Sequence, residues 1–537
     1  LVADEFPDIG VEAAPGYPDA WLSLVSRLLG FRLLKPSEVK DAQDHLLVAR
    51  IHRVVQAVVQ TRPGLASEML HQRLVEYAVE RCEFVKANEH LPIHRWEIEP
   101  LRELAERLLA ERHVSASFIA NAAALFLLHL ARYAEAEPLM RRALALGEQN
   151  YGSEHPIVAI ILNNLAQLLQ TTNQLGEAEP LMQRVLEITE QSCGPEHPAV
   201  ATALNNLAAL LQATNRLEEA EPLIRRSLAI YEQSFGPEHP DVAINLNNLA
   251  QLLRETNRLE EAEPLMRRAL AIDESSFGPE HPNAVRQLNN LARLLQTTNR
   301  PEEAEPLILR ALTIDEQSFG LDHPAVAADL NNLAQLLKMT NRPEEAEPLM
   351  RRALAIDERN FGPEHPRVAV DLNDLASVLT ATNRLEEAEP LMRRALAIDE
   401  RGFGADNPSV AIRLNNLAQL LQATNRKGEA EPLMARVVSI FEKSYGENHP
   451  NVATALNNLA RLLQDTNRRG QAEPLMRRHL KIFLKFNAQT GHEHQNQQAA
   501  IDNYVRLLSE LGKDPTAILA ELNQLGGPFG VSFGDGE

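Results

Sequence analysis

Seven His-Pro dipeptides return along the chain, at His155, His197, His239, His281, His323, His365 and His449, and Asn407-Pro408 fills the one open slot, so the interval is 42 residues throughout. Imidazoles bind metals and carry protons, and their recurrence raises both possibilities. The spacing favours neither. Each histidine precedes a proline at the start of a helix, and copies one unit apart would lie roughly 10 Å from each other, a helix-packing distance. That is too far to share one ion. His492 and His494 are closer together but have no third ligand in view. A structural role in the connection is expected, and no metal site.

Glutamate pairs such as Glu260-Glu261 resemble catalytic carboxylates only in composition. They stand where they favour the positive end of a helix, and Glu263 and Arg267 are spaced for an i, i+4 pair. No Ser-His-Asp or Cys-His set stands out from the repeating polar residues. Cys82 and Cys193 are too few and too far apart for a disulfide framework or a zinc site, which leaves a reducing cytoplasm as the expected setting. Gly512-Lys513 is isolated, with no phosphate-binding loop around it. No enzyme activity and no cofactor are expected of this chain.

The asparagine pairs differ from these. The first member recurs at Asn163, Asn205, Asn247, Asn289, Asn331, Asn373, Asn415 and Asn457; the second is replaced once, by Asp374. An amide offers donors and an acceptor, which suits either a grip on an extended peptide backbone or a ladder between neighbouring units. Four residues after each first Asn the sequence varies (Gln167, Ala209, Gln251, Arg293, Gln335, Ser377, Gln419, Arg461). Three further on it varies again, with Arg254 and Lys338 among amides and Thr380.

The elements that must hold these residues are legible in the unit from Pro240 to His281. Val242, Leu246, Leu249, Ala250 and Leu253 line one stripe of a first helix, A, and Ala262, Leu265, Met266, Ala269 and Leu270 line one of a second, B. Thr256-Asn257-Arg258 interrupts the periodicity, and Asn257, which tolerates left-handed backbone, is the expected cap. Helix B closes at Phe235-Gly236 or its equivalents, and the next helix A opens with proline. Pro301 and Pro343 stand harmlessly at first-turn positions of helix B, whereas Pro264 and its counterparts fall about five residues in and should bend it mildly. One unit buries too few side chains to offset the ordering of its own backbone, so units must stack into an all-α solenoid.

Leu246, Leu249, Ala250, Leu253, Ala262, Met266 and Ala269 fall at the spacings of the tetratricopeptide repeat. The 42-residue length with its Gly-Pro-Glu-His-Pro connection resembles the kinesin light chain type. The resemblance covers about Pro156 to Thr490 and implies a right-handed superhelix with helix A on the concave side. On that reading the eight first asparagines, with Gln251, Arg254, Arg293, Gln335, Lys338, Gln419 and Arg461, face a ligand-binding groove. The four cations among them make that groove neutral to basic, which suits an acidic or carboxylate-bearing peptide.

Before the repeats, Phe31 to Val59, with its Ile51-His52-Arg53-Val54-Val55-Gln56-Ala57-Val58-Val59 string, resembles the end of the winged-helix element of NB-ARC-type regulatory ATPases of the STAND class. The expected organisation is a partial winged-helix-like region over 1–62, a helical spacer over 63–112, a divergent first repeat over 113–155 and eight units over 156–491. Degenerate capping helices over 492–525 and a disordered tail over 526–537 complete it. The chain begins with Leu1, so an upstream NTPase domain binding ATP or ADP is implied by the resemblance. The function expected is a ligand-sensing, protein-binding arm of such a switch; a free-standing scaffold or cargo adaptor is the alternative. A net charge of −21 argues against nucleic acid, and no apolar run is long enough for a membrane span. Nothing in the sequence indicates an oligomeric state.

Overall fold

In a computed structural model of the chain the described residues are 34–36, 49–51, 98–113 and 115–534, with side chains from 101 onward. The chain divides into two compact units, Leu1–Phe126 and Leu127–Glu537. In the first, β1 (Leu34–Pro36) and β2 (Ala49–Ile51) pair antiparallel, Leu34 opposite Ile51. The rest of the winged-helix-like region and most of the spacer lie outside the described residues. α1 (Ile98–Ala110) buries Leu101, Ala105 and Leu108 along one face, and α2 (Ala116–His129) follows it in sequence.

The second unit is a succession of helical hairpins. α3 (Tyr133–Tyr151) precedes the first of eight A/B pairs: α4 (Pro156–Thr171) with α5 (Leu175–Cys193), α6 (Pro198–Ala213) with α7 (Leu217–Phe235), and α8 (Pro240–Glu255) with α9 (Leu259–Phe277). The array continues with α10 (Asn283–Thr297) and α11 (Pro301–Phe319), α12 (Pro324–Met339) and α13 (Pro343–Phe361), and α14 (Pro366–Ala381) and α15 (Leu385–Phe403). It ends with α16 (Pro408–Ala423) and α17 (Lys427–Tyr445), then α18 (Pro450–Asp465) and α19 (Arg469–Thr490).

The repeated punctuation sets these boundaries. The His-Pro histidine is an N-cap: its Nδ1 accepts the backbone N–H two residues on, as His239 does from Asp241 at 3.2 Å. Asn407 does the same through Oδ1, 2.9 Å from the Ser409 nitrogen, which explains why it can stand in the histidine slot. The aromatic ending helix B stacks on the same imidazole, Phe235 on His239 at 4.7 Å and Tyr445 on His449 at 4.5 Å. Asn257 has φ 60°, and the next amide, from Arg258, donates back to Leu253 O at 2.7 Å. Gly236 turns the chain out of helix B at φ 90°. Helix B runs unbroken through the proline at its sixth position in every unit, as at Pro264.

No unit has a private core. Val242, Ala243 and Leu246 of one helix A are buried with Ala269 and Ile272 of their own helix B, and Leu228 and Tyr231 of the preceding unit pack against them. Each interface is therefore also half of the next. After α19, α20 (Gln497–Glu510) and α21 (Pro515–Gly526) close the apolar end around Tyr504, whose hydroxyl donates toward Glu473 and Glu521. The tail expected to be disordered is ordered as far as Gly534. The Phe533 amide donates to Asn523 Oδ1 at 2.7 Å, and Phe533 packs on the terminal cluster.

Consecutive A helices from α6 to α16 approach each other more closely than consecutive B helices do, so helix A forms the inner side of the curve. The curve closes on itself within this unit. Tyr133 stacks on Phe403 with ring centroids 5.2 Å apart. Asn173 donates to Ser444 Oγ at 2.8 Å, a separation of 271 residues, and Asn257 donates to Glu493 O at 3.2 Å across 236. His365 meets His129 O at 3.2 Å, also 236 residues away. Elements about six units apart thus touch along a seam.

Candidate functional site

All eight first asparagines bond to a neighbouring unit, in one of two modes. Where the residue 40 positions on is an acceptor, the Asn amide donates to it: Asn205 to Asn245 at 2.5 Å, Asn289 to Asp329 and Asn331 to Asp371 at 2.6 Å, and Asn247 to Gln287. Where that position is Ala203, Arg413 or Ala455, none of which can accept, the first Asn instead accepts from the second Asn of the next unit. Asn206 donates to Asn163 at 2.7 Å, Asn416 to Asn373 at 2.8 Å and Asn458 to Asn415 at 2.9 Å. Asn457 accepts from Asn503 of α20 at 3.3 Å. The ladder that the sequence allows is present from end to end.

The acceptor position was not singled out in the sequence, although its signal is plain: two residues before each first Asn, a buried stripe otherwise filled by Ile161 or Ala203 turns polar. Asn245, Gln287, Asp329, Asp371 and Arg413 are all buried there. Four of them face a buried acid on the preceding helix B. Gln287 meets Asp273, and Arg413 binds Asp399 at 2.9 Å. Asp315 with Asp329, and Asp357 with Asp371, are carboxylate pairs. Burial first, and then the like charge of the partner, pushes Asp329 up to about 7 and Asp371 up to about 8.

The varied row is different in kind. Gln167, Ala209, Gln251, Arg293, Gln335, Gln419 and Arg461 are exposed on the inner helices, and the row three residues on is half-buried except for exposed Lys338. Gln335 donates to Asp374 at 3.1 Å and Lys338 to Ser377 at 2.5 Å, each in the next unit. Arg254, Arg293 and Arg461 form no ion pair among the described residues. Burial and the nearby Arg293 charge lower the Arg254 pKa. The glutamates around the A–B turns are consumed by structure: Arg258 bridges Glu261 of its own helix and Glu221 of the preceding unit, and Arg300 does so with Glu303 and Glu263. Arg267 pairs with Glu263 at 2.7 Å.

Among the described residues there is no cluster of three or more His, Cys, Asp or Glu placed to hold a metal ion, and no helix long and apolar enough to cross a membrane. Cys193 is exposed at the end of α5.

No curated protein matches the chain. Among solved structures, nearly identical repeats of a kinesin light chain from Podosopora anserina align at 28% identity over 38% of this chain and 98% of that one, with a TM-score of 0.33. The protein BtubC (BKLC) from P. vanneervenii aligns at 24% identity over 42% and 90%, with a TM-score of 0.36. A STAND protein with a tetratricopeptide repeat sensor from Pyrococcus horikoshii aligns at 15% identity over 73% and 55%, with a TM-score of 0.40. The family model described as Tetratricopeptide repeat matches eight overlapping segments that run from 115–191 to 411–485. Spanning more than half of the chain and coinciding with its helical hairpins, that match makes this protein a member of the tetratricopeptide repeat family.

Proposed function

We propose that the chain is a protein-binding arm, in which a protein or peptide segment lies along the inner A-helix wall and is selected by the exposed Gln251, Arg293, Gln335, Lys338, Gln419 and Arg461 together with half-buried Arg254. The observation that carries this reading is the contrast on one helix face. The asparagines are constant and committed to the ladder, while the exposed residues one turn further on change from unit to unit. A fixed frame with a variable lining is what a binding wall needs, and stability alone gives no reason for the variation. On this reading the asparagines preorganise the wall and contact ligand only through valences the ladder leaves over. Unpaired Arg254, Arg293 and Arg461 favour an acidic segment.

The setting proposed is the C-terminal part of a STAND-type signalling ATPase, supported by the resemblance of Phe31 to Val59 to a winged-helix end. ATP or ADP would then belong to an upstream domain, and this chain would act without catalysis in the cytoplasm. Replacing Arg293, Gln335 and Lys338 together by Ala should abolish capture of partner from a lysate of the source cell and leave thermal unfolding within a few degrees. The outer-face triple of Arg267, Arg351 and Arg393 to Ala should capture normally. Loss confined to the outer triple would overturn the reading.

A further inference from the structure

Where the coil meets itself, a cavity of about 820 Å³ opens between α6 and α8 on one side and α17 to α19 on the other. That is the size of a small-molecule site, not of a packing defect. The upper wall carries Asn205, Gln212, Gln251, Arg254 and Glu255; the lower carries Tyr445, His449, Phe486 and His494.

The cavity is rich in unused donors. Gln212 Nε2 is buried with no hydrogen-bond partner. Arg254 has no ion-pair partner among the described residues, and with Arg293 beside it the two guanidinium charges outweigh the one carboxylate of Glu255, which accepts from Gln251. The histidines complete the pattern. His449 Nδ1 accepts from the Asn451 amide and His494 Nδ1 from the Asn496 amide, each at 3.1 Å. Burial pushes both imidazoles down to about 4, so near neutral pH they are uncharged, with the single proton on Nε2. Each therefore keeps one N–H to offer. The apolar surface comes from Tyr445 and exposed Ala209, while Phe486 is itself buried, edge-on to His494 at 5.1 Å.

We infer that this seam cavity binds a small organic acid, its carboxylate held by Arg254 and the Gln212 amide and its apolar body against Tyr445 and Ala209. Because the two walls lie about six units apart in the chain, the bound acid bridges them and holds the coil closed. It acts as an effector of the arm and not as its protein cargo. The inference rests on the proposed binding wall only in that Arg254 belongs to both.

The test is calorimetric titration of the full chain at pH 7.5 with 4-phenylbutyrate and with its uncharged analogue 4-phenylbutyramide, paired with hydrogen exchange. The acid should bind at least tenfold more tightly than the amide. It should slow exchange together at residues 205–257 and 445–496. R254Q should weaken it at least tenfold, with R254K recovering part of the loss, and Arg393→Ala on the outer face should leave it unchanged. No binding by the acid up to about 10 mM, equal affinity for acid and amide, or protection on one wall alone would overturn the inference. Acid binding that survives while the Arg293, Gln335 and Lys338 triple still captures protein would overturn the binding-wall reading instead and leave the seam site standing.

Discussion

At the scale of single residues, the buried slot between units is the most consequential position, because in five units the same space is filled by polar side chains of four kinds. Asn245 and Gln287 fill it with neutral amides, Arg413 with a cation on Asp399, and Asp329 and Asp371 with second carboxylates. Two buried carboxylates in contact cannot both ionise cheaply, so the folded state retains protons that the unfolded chain releases near pH 4. With folded values of about 7 for Asp329 and about 8 for Asp371, the native state binds more protons than the unfolded one between about pH 4 and 8. The stability these pairs contribute is complete below the unfolded value and is lost as pH rises through the folded one. The melting temperature should therefore fall from pH 5 to pH 9. Asp329→Asn with Asp371→Asn, which keeps an acceptor for Asn289 and Asn331, should raise it at pH 8 and flatten most of that slope in thermal scans. An unchanged slope would mean the pairs do not carry the shared protons. The ladder asks for a similar measurement: Asn289→Ala leaves Asp329 without its donor and should cost about 1–3 kcal/mol in denaturant unfolding.

At the scale of the element, most of the architecture could be read directly. Helix boundaries followed from Pro, Gly and Asn punctuation, because each acts through its own backbone geometry and needs no partner. The stripe through Val242, Leu246, Leu249 and Ala250 is buried as its spacing predicts. What could not be read is whatever depends on a second unit. The role of Asn247 is decided by Gln287, 40 residues away, and the choice between its two bonding modes by whether that residue can accept. The cap role of the histidines was legible as position but not as chemistry, since the Nδ1 acceptor and the stacked aromatic appear only once the turn is built. The bonds between Asn523 and Phe533 join residues ten apart, and no local pattern signals them. The A–B turn gives the cleanest check. Asn257→Ala forces a Cβ-bearing residue without a local amide into left-handed backbone at φ 60° and should cost about 1–2 kcal/mol, whereas Asn257→Gly should be nearly neutral. Equal losses for both would show that the Asn257 side chain, through its bond to Glu493 O, matters more than its backbone.

At the scale of the whole repeat array, curvature follows from asymmetry between the two helices. A helices approach each other along the ladder, B helices splay and are tied by arginine bridges, and the accumulated bend brings elements about six units apart into contact. Closure turns the A-helix wall inward and creates a cavity that neither turn of the coil has alone. The ladder joins adjacent units and stands without closure, whereas the seam cavity and the inward-facing wall depend on it in solution. Closure is tested most directly by an Asn173→Cys, Ser444→Cys pair in a chain whose own Cys82 and Cys193 are replaced by Ser. The hydrogen bond that joins these two side chains at 2.8 Å holds their Cβ atoms about 5–6 Å apart, too far for a disulfide but within the span of a short thiol cross-linker. Bismaleimidoethane should close a single intramolecular link in most monomers, seen as faster migration in a denaturing gel and absent when either cysteine is missing. Monomers left unlinked, alongside normal helical content, would mean the coil is open and would contradict the account.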